Sequence, residues 1–115
     1  MAVTIYGIKN CDTMKKARAW LDTAGISYQF HDYKANGVDA GLLRRWVDEA
    51  GWETVLNRAG TTFRALPDID KQGIDADRAI TLMLAHPSMI KRPVLVDGAR
   101  LLIGFKPDAY SAFFR

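Results

Sequence analysis

Residues 3–30 pass from strand chemistry to a helical apolar period and back, and that order restricts the fold more than any other feature of the chain. Val3–Tyr6 is a short run of β-branched and aromatic residues bounded by Gly7, and it reads as a strand. After the loop Gly7-Ile8-Lys9-Asn10, the residues Met14, Ala17, Trp20 and Leu21 share one helical face, and Gly25 supplies a stop. Ile26–Phe30 reads as a second strand, with Tyr28 and Phe30 to one side and Gln29 to the other. Two strands joined through a helix favour a parallel pair, because the crossover returns the chain to the same edge of the sheet.

The middle of the chain is helical in pattern. Asp39 can cap a helix whose apolar positions include Leu42, Leu43, Trp46 and Val47 and which ends near Gly51. A short segment at 54–57 follows, and Asn57–Thr62 is polar and small enough for a surface loop. Asp75 can cap a further helix with Ala79, Leu82 and Met83 inward, stopped before Pro87. Strand chemistry then returns. Val94–Val96, the turn Asp97-Gly98 and Leu101–Ile103 form a hairpin signal, and Pro107 opens a last helix where its missing N–H does no harm. The expected architecture is α/β: βαβ, a helical insert, then ββα.

With 115 residues, 49% hydrophobic and 25% charged, the chain has the make-up of one soluble domain with a core of its own. Sixteen basic against thirteen acidic residues give a small positive excess. That excess suits the binding of small anions and does not call for direct nucleic-acid binding. No run approaches the length of about 20 apolar residues needed to span a bilayer. The N-terminus reads as a first strand, without the basic and long apolar regions of a signal peptide. A single cysteine fits a reducing compartment, so a cytoplasmic location and no membrane partner are expected.

That cysteine, Cys11, stands where the loop leaving the first strand meets the first helix. The first amides of a helix have no partners within it, and its dipole is positive there, so both favour a thiolate over a thiol. A free cysteine with a pKa of about 8.5 falls to about 7.5 or well below in such places. Lys9, Lys15 and Lys16 add positive charge nearby in sequence, Thr13 offers a hydroxyl, and the amides of residues 12–14 can cradle an anion. Asp12 would oppose ionisation if it turned inward. The competing reading is a small buried hydrophobe. It fits less well, because Cys11 lies off the apolar stripe and between the polar residues Asn10 and Asp12. With no second cysteine in the sequence, turnover of any mixed disulfide on Cys11 needs an external thiol, for which glutathione is the natural co-substrate.

A second stretch, His86-Pro87-Ser88-Met89-Ile90-Lys91-Arg92-Pro93-Val94, places a proline directly before a strand, a position suited to a cis bond. Arg92 would project from the start of that strand toward the cysteine loop if the two strands are neighbours, and a guanidinium there can pair with an oxyanion or carboxylate. A solvated surface arginine is the alternative. His86, at a helix end before proline, reads as closing that helix rather than as a general base, and His31 has still less to recommend it. Neither histidine has a companion at metal-ligand spacing, so no metal and no tightly bound cofactor are expected.

Ile5-Tyr6-Gly7 leading to Asn10-Cys11-Asp12-Thr13, His86-Pro87-x-x-Ile90-x-Arg92-Pro93-Val94, and Gly104-Phe105-x-Pro107 together resemble the arsenate reductase (ArsC-like) family, closest to its Spx/YffB branch. The likeness runs the length of the chain. It implies a single ArsC-like domain over 1–115 with a thioredoxin-like fold, residues 1–33 and 87–115 forming the core and about 34–86 a helical insert. It also implies that Cys11 is the nucleophile and Arg92 the arginine before the cis-proline, Pro93. Arg58 matches a further anion-binding arginine. The third arginine of arsenate reductases has no counterpart here, since its region reads Leu102-Ile103-Gly104-Phe105-Lys106. Fewer arginines neutralise a doubly charged oxyanion less well.

The expected activity is therefore glutathione-dependent thiol–disulfide reduction, with Cys11 and Arg92 catalytic and Lys9, Asn10, Thr13, Lys15, Arg58 and Pro93 binding substrate or glutathione. Glutaredoxin is a further partner by the same resemblance. The alternatives are glutaredoxin-dependent arsenate reduction and a regulator that binds RNA polymerase as Spx does. The two-cysteine redox switch of Spx is not available to a chain with one cysteine. In a regulator, Trp46, Trp52 and Phe63 would be candidate anchors, although core packing accounts for them as well.

Overall fold

Strand β1 (Val3–Gly7) lies inside a four-stranded sheet ordered β2-β1-β3-β4, with β2 at Gln29–Asp32, β3 at Val94–Asp97 and β4 at Arg100–Ile103. The computed structural model describes residues 3–115. β1 and β2 run parallel, from Thr4 opposite Gln29 to Gly7 opposite Asp32. β3 runs antiparallel to β1 and to its hairpin partner β4. Helix α1 (Asp12–Thr23) makes the parallel crossover, and α8 (Pro107–Phe113) closes the chain. A βαβ half and a ββα half sharing one mixed sheet are the thioredoxin-like fold.

Residues 3–36 and Arg92–Arg115 form one compact unit, and Gly37–Lys91 form another. In the first, the predicted helical stripe is the buried one: Met14, Ala17 and Leu21 pack with Val3, Ile5, Leu95 and Tyr110. Trp20 meets Tyr110 edge-on at 5.5 Å between centroids, and Phe105 meets it at 4.7 Å. The second strand begins at Gln29, later than the sequence pattern places it. The amide of Ile26 is still engaged by the Leu21 carbonyl at 3.0 Å in the closing turn of α1, so pairing with β1 starts only beyond it. The alternation itself holds, since Tyr28 and Phe30 pack toward the core and Gln29 is exposed.

The second unit is built on α3 (Ala40–Ala50) and α7 (Ala76–Ala85), whose predicted caps are both made. Asp39 accepts from the Leu42 amide at 2.8 Å and Asp75 from the Arg78 amide at 2.8 Å. Leu43, Trp46 and Val47 on α3 and Ala79, Leu82 and Met83 on α7 are buried. Single turns fill the connection: α4 (Trp52–Val55), α5 (Thr61–Arg64) and α6 (Asp68–Lys71). The polar loop expected at 57–62 is thus cut short by α5 at Thr61. One turn contributes a single inward residue, Phe63 in this case, and so leaves no periodic trace in the sequence.

Gly7 fixes how closely α1 approaches the sheet. A Cβ at this position would stand 2.2 Å from the Met14 sulfur, and Met14 is fully buried, so it has no open space to move into. Gly7→Ala is therefore expected to destabilise the protein by about 1–3 kcal/mol through overpacking. An unchanged melting temperature in thermal denaturation would show that the first turn of α1 yields freely.

Candidate active site

Three chain connections meet at one end of the sheet. β1 runs out through Ile8, Lys9 and Asn10 to Cys11. Parallel β2 ends level with it, Asp32 opposite Gly7, and continues into Tyr33 at the start of the single turn α2 (Tyr33–Asn36). Antiparallel β3 begins there, Val94 opposite Tyr6, so Arg92 and Pro93 lie just before the same edge. Strand pairing alone therefore gathers residues 11, 33 and 92.

Cys11 is the N-cap residue of α1, in extended conformation and partly exposed. Its sulfur makes no strict capping hydrogen bond, but stabilisation of an anion by amide dipoles does not require one. Burial pushes the thiol pKa up. That push is outweighed by the Met14 amide, by a hydrogen bond and the charge of the Arg92 guanidinium, and by the Thr13 amide, so the net shift is downward. The geometry thus favours a thiolate that solvent and a second molecule can reach, the combination that reactive cysteines share.

Arg92 also donates to the hydroxyl of Tyr33, whose side chain is fully buried. Burial raises the Tyr33 pKa well above its ordinary value; the charge and hydrogen bond of Arg92 only partly oppose this, and the charges of Cys11 and Asp32 add to it. The turn that carries Tyr33 is tied down by Asp32, whose Oδ1 accepts from the amides of Lys34 at 2.9 Å and Ala35 at 3.1 Å. The sequence does not single out Tyr33, because an aromatic at a strand end reads as core. The available signal was its place directly after an Asp that caps a turn, at the end of the strand parallel to β1.

The peptide bond between Arg92 and Pro93 is cis. The Pro93 carbonyl accepts from the Gly104 amide at 2.8 Å, and Gly104 holds a φ of 86°, which favours glycine. Lys9 and Asn10 are exposed in the loop before Cys11, and Thr13 and Lys15 are exposed on the first turn of α1. The positive charge that lowers the thiol pKa is that of Arg92. Arg58 belongs to the other unit, where it is exposed with its guanidinium 5.4 Å from the Trp52 ring centroid. His86 is exposed, and its amide closes α7 on the Leu82 carbonyl at 2.9 Å. His31 lies against Tyr6 at 5.2 Å between centroids. Among the described residues, no group of three or more His, Cys, Asp or Glu is placed to hold a metal ion. An open groove of about 610 Å³, lined in part by Arg18, Asp22, Tyr28 and Phe30, flanks the C-terminal half of α1, away from the turn that carries Cys11.

The sequence profile of the ArsC family matches residues 6–113. The chain belongs to the ArsC family. Among solved structures, a YffB protein is 64% identical, with a TM-score of 0.94 over 96% of this chain and 97% of that one. An arsenate reductase (ArsC) related protein from Brucella melitensis is 59% identical, with a TM-score of 0.80 over 100% of this chain and 96% of that one. The global transcriptional regulator Spx of Streptococcus mutans is 30% identical over 113 residues, 96% of this chain and 82% of the regulator. The proteins this chain resembles thus include one named for a reductase and one named as a regulator. No helix among the described residues is long and apolar enough to cross a membrane.

Proposed function

We propose that this ArsC-family chain is a glutathione-dependent thiol–disulfide reductase acting in the cytoplasm. The observation that carries this reading is the partly exposed Cys11 sulfur at a helix N-terminus, engaged by the Arg92 guanidinium, which together favour a thiolate. The thiolate attacks the sulfur of a mixed disulfide between glutathione and a substrate thiol. The substrate S–S bond breaks, Cys11 becomes joined to glutathione, and the substrate thiolate leaves and takes a proton from water. A second glutathione thiolate then attacks that new disulfide, releasing oxidised glutathione and restoring the Cys11 thiolate. The second thiol must come from outside because the sequence holds one cysteine. Glutaredoxin is an alternative supplier of it.

Arg92 stabilises the thiolate in the resting enzyme and is placed to hold a carboxylate of glutathione. Lys9, Asn10, Thr13 and Lys15 form a polar rim, basic at its two lysines, around the cysteine turn for the same anion, and Pro93 adjoins Arg92 there. The test is to assay the intact chain with a glutathionylated small thiol and reduced glutathione, and with arsenate in parallel. Turnover dependent on glutathione and indifferent to arsenate is expected. Arsenate-dependent turnover would favour the activity for which the Brucella melitensis relative is named. No turnover with either would favour the second reading, a protein-binding regulator, for which the similarity to Spx over 96% of the chain is the supporting observation.

A further inference from the structure

We propose that Tyr33 is a positioning residue that holds the Arg92 guanidinium against Cys11 through its buried hydroxyl. The inference rests on reading Cys11 as the nucleophile of the site. An arginine side chain has several rotatable bonds and is readily drawn into water, so keeping its head beside a partly exposed sulfur costs conformational entropy. A buried hydroxyl is the complementary case, since leaving it without a hydrogen bond is costly. A bond between the two gives the buried phenol oxygen a donor and restricts the guanidinium together.

The choice of a phenol has a further consequence. A carboxylate in this place would also orient Arg92, but its charge would cancel the one that favours the thiolate. Tyr33 is a phenol, protonated at neutral pH and held so more firmly by burial, so it accepts from Arg92 while leaving the positive charge intact for Cys11. The charged groups facing Tyr33 are Cys11 at the start of α1, Arg92 before β3 and Asp32 at the end of β2. The Asp32 carboxylate is turned at least in part to the amides of Lys34 and Ala35, and so serves the turn that presents Tyr33. Arg92 thus meets both the phenol that orients it and the sulfur it serves at the sheet end.

The test is the pH profile of Cys11 alkylation by iodoacetamide in the full chain. Tyr33→Phe keeps the ring and its burial and removes the hydroxyl. Expected is an upward displacement of the profile, with alkylation at neutral pH slowed about three- to tenfold, the worth of one hydrogen bond. In an Arg92→Ala background the same substitution is expected to have no further effect, because Tyr33 acts through Arg92. An unchanged profile for Tyr33→Phe, or equal slowing with and without Arg92, overturns the proposal. A second measurement uses the unaltered protein: a held guanidinium gives resolved, slowly averaging Nη–H resonances for Arg92, and fully averaged signals overturn the proposal. Both readouts are independent of glutathione turnover, so failure of the reductase reading and failure of this one are distinguishable.

Discussion

Replacing Cys11 by serine is expected to reduce the proposed glutathione-dependent disulfide reduction by at least about a thousandfold, because serine oxygen is not a thiolate at neutral pH and cannot form the mixed disulfide. The same substitution is expected to leave the fold intact and the melting temperature equal or slightly higher. Cysteine is a poor N-cap: its sulfur closes no strict hydrogen bond to the first turn of α1. Serine is among the preferred residues at that position, where a good cap is worth about 1 kcal/mol. Stability and activity should therefore move in opposite directions at position 11, the pattern of a residue retained for chemistry rather than for packing. Activity assay and thermal denaturation of one purified variant check both arms. Retained turnover would remove Cys11 from the mechanism; a collapse in stability would mean that the sulfur packs as a core atom after all.

How far the sequence reveals this site follows from the range of the interactions involved. The α1 stripe, the Asp39 and Asp75 caps, and the 94–103 hairpin are set by residues a few positions apart, and all are readable in the sequence. The start of β2 is less readable, because the Ile26 amide is claimed by the closing turn of α1, a choice that alternation alone does not record. Single turns such as α5 and α6 carry no period to detect. Within the site, Cys11 is visible because a helix start is a local event. Arg92 is foreseeable only as far as β3 is known to adjoin β1, which the structure supplies as Tyr6 opposite Val94. Tyr33 depends on both sheet pairings at once, parallel on one side of β1 and antiparallel on the other; the preceding Asp32 marks a turn locally but does not reveal that Arg92 lies beside it.

Arg92→Ala is the substitution that separates the two duties assigned to this arginine. It deletes one hydrogen bond and one positive charge from Cys11, and leaves the upward push of burial opposed only by the Met14 and Thr13 amides. The thiol pKa must therefore rise. Because only the thiolate reacts, alkylation below the wild-type midpoint should fall by about tenfold, within the range for a hydrogen bond to a charged group at a partly exposed site. Well above both midpoints both proteins are fully ionised, and the deficit should vanish or reverse, because a thiolate of higher pKa is intrinsically the better nucleophile. Arg92→Lys should recover part of the loss, since it restores the charge but not a planar fork able to meet Tyr33 and Cys11 together. Turnover carries the further information. If Arg92 serves only the thiolate, the Arg92→Ala protein approaches wild-type rates as pH rises. If it also holds a carboxylate of glutathione, KM for glutathione stays high at every pH, because raising the pH restores the thiolate but cannot replace the missing guanidinium.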